Sequence, residues 1–184
     1  DASAYLGDLM SRSDIWKRSA LIDVEASGLM AGSFPVEIGW WADDLYGDLI
    51  INPAEHWDMS KWDIDAEAMH GLTAQFVRMK GLHPIRVAAL LNQTFRGKLV
   101  FSDAPEADTK WLDELHAMVG IAREYQIDSV GRLLGFMGVK ADRAYEIFDE
   151  VAERMPSRGR ALVGVRYLKA VVDAASVEVS RDAL

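Results

Sequence analysis

Cysteine is absent from all 184 residues. That excludes a disulfide scaffold, thiolate metal sites, iron–sulfur ligation and thiol catalysis, and it suits a reducing cytoplasm. Long apolar runs are missing as well. No stretch approaches the ~20 residues of a membrane-spanning helix, so no membrane role is expected. The opening DASAYLGDLMSRSDIWKRS lacks the basic start and apolar run of a secretory signal. Positive charge is scarce: 20 Lys and Arg stand against 29 Asp and Glu, a net charge of −9. Such a chain cannot hold nucleic acid by its overall field, and any such contact must be local. What is present is a normal globular composition, 50% hydrophobic and 27% charged, at a length suited to one domain.

No internal repeat, low-complexity tract or long linker interrupts the chain. Residues 1–18 read as an arm or short helix, with Ile15 and Trp16 packing onto the body, and 19–184 as the domain proper. Ala20–Glu25 (ALIDVE) reads as a buried strand broken at Gly28. Val36–Ala42 and Leu45–Ile51 read as two more, joined through Asp43-Asp44 as an antiparallel hairpin. Helical patterns follow from Ala66 through HGLTAQFVRM and again from Pro84, which suits a first helical turn. Lys98–Asp103 is a further strand, and Glu106–Val119 a helix with Trp111, Leu112, Leu115 and Met118 on one face. A last strand falls within Arg123–Val130, and helices cover Val130–Met137, Asp142–Met155 and Arg160–Ala174. The alternation predicts an α/β domain, a mixed sheet flanked by helices.

Asp23 and Glu25 occupy alternate positions of an apolar strand, so both side chains point to one face. Burying two like charges together is costly unless cations neutralise them. The spacing alone is equally met by a strand emerging into solvent.

The surrounding residues sharpen this choice. DVEASGL (Asp23–Leu29), FPVEIGWW (Phe34–Trp41), AMHGLT (Ala68–Thr73) and VFSDAPEADTKWL (Val100–Leu112) follow one another at intervals that resemble the DEDD 3′–5′ exonucleases. That family includes the proofreading subunit of bacterial DNA polymerase III, oligoribonuclease and RNase T. The likeness covers about residues 19–173. It implies an RNase H-like mixed five-stranded sheet flanked by helices and metal-dependent phosphodiester hydrolysis at single-stranded DNA or RNA 3′ ends. Two divalent ions, magnesium or manganese, would help form hydroxide and stabilise charge on the phosphoryl oxygens. Carboxylates suit such hard cations. By resemblance, Asp23 bridges both metals, Glu25 holds the nucleophile-side metal and Asp108 acts on the other through water. The backbone of Ala26, Ser27, Gly28 and Leu29 meets the terminal nucleotide, with His70 near its pocket. A lone His beside Gly at a helix break equally reads as structural.

The third motif departs from the pattern. The family reads H-R-A-L-x-D followed by V-R-Y-L; here the run is GRALVGVRYL, Gly159–Leu168. Gly159 therefore stands where the general-base His belongs, and Gly164 where the fourth carboxylate belongs. Asp173 lies nine residues further along one helix, about 13 Å away along the axis and on the far side, so it cannot substitute. Loss of the base alone costs a rate factor of about 10²–10⁴. The expectation is a nuclease fold with a weak or impaired site and at most one weakly held ion, or an inactive relative that binds nucleic-acid ends, nucleotides or a protein.

Smaller signals read mostly as structure. His56, His83 and His116 show no ligand spacing and read as surface residues. Asp103 reads as a solvated strand end that could also tune the site. Trp40, Trp41 and Trp111 fall on core periodicities, while Trp57 and Trp62 read as packing over a loop, with base stacking as the other option. Arg154, Arg158, Arg160, Arg166 and Lys169 form an acid-free basic run, either a phosphate-binding patch or a solvated face.

Overall fold

In the computed structural model, residues 15, 18–53, 57–155 and 159–182 are described, with side chains to residue 179. The expected arm therefore lies outside the described residues apart from Ile15, which is buried, and Arg18. Five strands form one sheet: β1 (Ser19–Ala26), β2 (Pro35–Ala42), β3 (Leu45–Ile50), β4 (Leu99–Ser102) and β5 (Ile127–Ser129). Their order is β3-β2-β1-β4-β5, antiparallel across β1–β2 and β2–β3 and parallel across β1–β4 and β4–β5. The fold is thus the mixed five-stranded α/β sheet expected. Asp43 and Asp44 turn the β2–β3 hairpin with φ of 50° and 61°, the double positive φ of a two-residue hairpin loop.

Seven α-helices are described: α1 (Ile64–His70), α2 (Ala74–Lys80), α3 (Pro84–Thr94), α4 (Pro105–Val119), α5 (Val130–Met137), α6 (Ala141–Ala152) and α7 (Ala161–Asp182). The single helical pattern expected through HGLT is two short helices. Gly71 ends the first, and the Thr73 hydroxyl caps the second by accepting the Phe76 amide at 3.1 Å. No described helix is long and apolar enough to cross a membrane.

Strand alternation divides the interior in two. Ala20, Ile22, Val24 and Ala26 of β1 pack with Val87, Leu91, Leu112 and Leu115 of α3 and α4. On the other face, Leu21, Trp41 and Phe101 meet Leu133, Ile147, Val165 and Leu168 of α5, α6 and α7. Asp23 and Glu25 share the face of Leu21, so the acids lie under the N-terminal part of α7. That placement is what makes the glycines of α7 matter.

Candidate active site

β1 carries Asp23 opposite Gly39 and Glu25 opposite Glu37 on the antiparallel neighbour β2. A side chain at Gly39 would run into the Ala161 backbone, so this glycine lets the start of α7 rest directly on the sheet. Three residues on, a Cβ at Gly164 would fall inside van der Waals contact of the Asp23 carboxylate. The position expected to supply a carboxylate thus presents bare backbone, and Asp23 fills the space. Gly159 has φ of 125°, a conformation L side chains rarely adopt, and lies near the Met69 carbonyl.

Asp108 enters from the first turn of α4 and is buried. Its carboxylate accepts a short hydrogen bond from the Ser102 hydroxyl at the end of β4, and Ser102 Oγ accepts the Ala104 amide at 2.9 Å. Burial, followed by repulsion from Asp108 and Glu25, pushes the Asp23 carboxyl up to about 9. Burial and then the neighbouring Glu37 push Glu25 up to about 7. Burial also pushes Asp108 to about 7, against the Ser102 hydrogen bond that lowers it. The three acids therefore share one field at one end of β1. At neutral pH Asp23 holds its proton.

The donor chemistry suits a hard divalent cation. Among the described residues, no three acidic or histidine side chains are gathered to hold a metal ion. Asp23, Glu25 and Asp108 act on one another through their charges, while Gly164 offers no side chain and Asp108 is engaged by Ser102.

The nucleotide-side residues form a tied loop. Ser27 and Phe34 close it: the Ser27 amide donates to the Phe34 carbonyl at 2.8 Å, and the Phe34 amide to Ser27 Oγ at 3.0 Å. Ala26, Ser27 and Gly28 are buried, whereas Leu29 is 77% exposed beside exposed Met30. His70 is buried at the end of α1, where its Nδ1 accepts the Leu72 amide at 3.0 Å and its ring meets Trp62 edge-on. Trp57 stacks on Phe34 at 4.9 Å, and Trp62 donates to Glu67 at 2.6 Å, so both pack over the loop.

Sequence reasoning missed a fully buried and well-satisfied charge. Glu37 is fully buried and receives Arg160, whose Nε donates at 2.8–2.9 Å to both carboxylate oxygens while its terminal nitrogen makes a short contact with Oε1. The Ala161 amide adds a third donor at 2.9 Å, so Glu37 caps α7 from across the sheet. A lone glutamate in the apolar run VEIGWW was the available signal.

Three cations of the basic run are engaged within the structure. Arg160 serves Glu37, Arg166 lies over the Tyr46 ring, and Lys169 pairs with Asp173 at 2.6 Å. Arg158 lies outside the described residues. His116 corrects the surface expectation: it is buried, its Nδ1 is 3.0 Å from the Ile121 carbonyl, and its ring faces Tyr125, because the chain after α4 folds back over it. His83 is exposed as expected and caps α3, while His56 lies outside the described residues.

No family model matches the chain, and no curated protein matches it. Solved structures do. The zinc-bound form of the E. coli exonuclease I complex with single-stranded DNA matches at 12% identity and a TM-score of 0.63, over 89% of this chain and 40% of that one. Exonuclease I from Methylocaldum szegediense matches at 13% identity and 0.60, over 86% and 40%. E. coli exonuclease I bound to a dA16 oligonucleotide matches at 13% and 0.53, over 63% and 28%. This chain thus spans less than half the length of those proteins. The likeness shows that this chain shares the fold of the matched part of exonuclease I.

Proposed function

We propose that this chain binds single-stranded DNA or RNA 3′ ends at the acidic end of β1 and cuts them weakly or not at all. The observation that carries the reading is Gly164, whose backbone lies against the Asp23 carboxylate where the resemblance calls for a fourth ligand. Gly159 removes the base from the same motif, and its φ of 125° leaves no relaxed place for one. Asp23 and Glu25 would hold a magnesium or manganese ion only weakly, because protons compete for both carboxylates at neutral pH. The terminal nucleotide would lie against the Ala26–Leu29 backbone, with exposed Leu29 beside its base and His70 supporting the loop from beneath.

The test uses end-labelled single-stranded oligonucleotides with manganese. The wild-type chain should retain them, prefer a free 3′ end over an internal segment, and give no ladder above that of an Asp23→Ala control. Gly164→Asp combined with Gly159→His should gain metal-dependent cleavage. A strong wild-type ladder abolished by Asp23→Ala would establish an intact exonuclease instead. Failure to retain any oligonucleotide would remove the binding role.

A further inference from the structure

Beside the acidic centre, the end of β4, the start of α5, α6 and α7 enclose a cleft of about 360 Å³. This lies at the small end of the range for small-molecule sites. One wall is aromatic. Phe148 and Tyr167 meet at 6.2 Å between ring centres, and the Tyr167 hydroxyl donates to the Phe148 carbonyl at 3.1 Å, which holds the tyrosine ring in place. Tyr145, one turn earlier on α6, stands 74% exposed at the same cleft. The facing wall is polar: Asp103, the Ser129 hydroxyl that caps α5, and Gly131 in the first turn of that helix. Ser129 Oγ already accepts the Arg132 amide at 3.1 Å, so its own hydrogen is left to donate.

The charge of this cleft selects its occupant. Asp103 repels phosphate and can only accept hydrogen bonds when ionised. A flat, uncharged group that carries an amino donor satisfies both walls: it stacks on the tyrosine and phenylalanine faces and donates to Asp103. Adenine, cytosine and guanine present an exocyclic amine; thymine and uracil do not. Asp103 also acts electrostatically on Asp23, Glu25 and Asp108, so the cleft and the acidic centre share this residue.

We propose that this cleft seats an unpaired amino-bearing nucleobase, contributed by a single strand whose 3′ end lies at the acidic centre or by a free nucleoside. The strand-borne form rests on the function proposed above; the nucleoside form does not.

The experiment titrates the full chain with adenosine, cytidine and uridine by NMR, then with short dA and dT oligonucleotides. Adenosine and cytidine should shift the Gly131 amide and the Tyr145 ring, with uridine at least fivefold weaker. Tyr145→Ala, at an exposed position, should weaken binding by about tenfold, the scale of one stacked base. Gly131→Leu should plug the cleft, since a Cβ there has its nearest neighbour, Ser129 Oγ, at 3.9 Å. Asp103→Asn should erase the preference for amino-bearing bases. Nucleoside shifts absent from Gly131 and Tyr145, or affinities unchanged in both Tyr145→Ala and Gly131→Leu, would overturn the proposal. Oligonucleotides that bind yet ignore these variants would sink the cleft and spare the 3′-end reading. Nucleosides that fill the cleft while oligonucleotides fail to bind would do the reverse.

Discussion

Glu25 and Glu37 face one another across the β1–β2 ladder, and their surroundings treat them in opposite ways. Glu37, the more buried of the two, has an arginine fork and a helix amide around its carboxylate. Glu25 has Glu37 beside it and only the distant field of the same arginine in its favour, so its carboxyl is pushed up to about 7. Burial alone therefore does not decide whether an acid is comfortable; the donors aimed at it do. One half of this surface is a finished structural joint. The other half, with Asp23 and Asp108, is a set of carboxyl groups pushed up by burial and by one another.

The largest effect should come from breaking the finished half. Arg160→Ala leaves Glu37 buried and unpaired, a loss of about 2–4 kcal/mol in urea unfolding, less than for a fully buried pair because Arg160 is itself partly exposed. Glu37→Gln should cost less, since the amide still accepts from Ala161. A loss below about 0.5 kcal/mol for Arg160→Ala would mean that the joint is decorative.

Relieving the unfinished half should act in the opposite direction. Acids raised in the folded state bind protons that the unfolded chain has already released, so stability falls as pH climbs from the unfolded values towards the folded ones. For Glu25 and Asp108 that window runs from about 4 to about 7, and for Asp23 up to about 9. Asp23→Asn should flatten the decline between pH 5 and 8 and add on the order of 1–3 kcal/mol near pH 7.5. Destabilisation by this variant at every pH would contradict the electrostatic account.

The smallest effect sharpens the comparison at Asp108. Ser102→Ala removes a donor to its carboxylate and the acceptor for the Ala104 amide. A loss of about 1–2 kcal/mol is expected, with the Asp108 carboxyl titrating still higher by NMR. An unmoved titration would show that the hydroxyl does not support the ionised form.

Elements with strong periodicity were readable in advance. Val130–Met137 coincides with its expected span, and the hairpin through Asp43-Asp44 lies where the turn residues put it. Spacing along β1 made Asp23 and Glu25 legible as a pair, whereas the convergence of Asp108 on their field was legible only through the resemblance of its motif. The Glu37–Arg160 joint was not, because it depends on β2 lying in one register against β1 while a helix more than 120 residues later lands on the same spot. His116 escaped for a similar reason: an amphipathic helix pattern does not reveal which later loop will cover its polar side. The basic run was legible only as a list of cations, not as the rings and acids that engage three of them.

The tight seat of α7 on β1 also makes positions 159 and 164 hard to change. A side chain at 164 must displace the Asp23 carboxyl from the space it fills. A side chain at 159 must adopt a turn that only glycine occupies without strain.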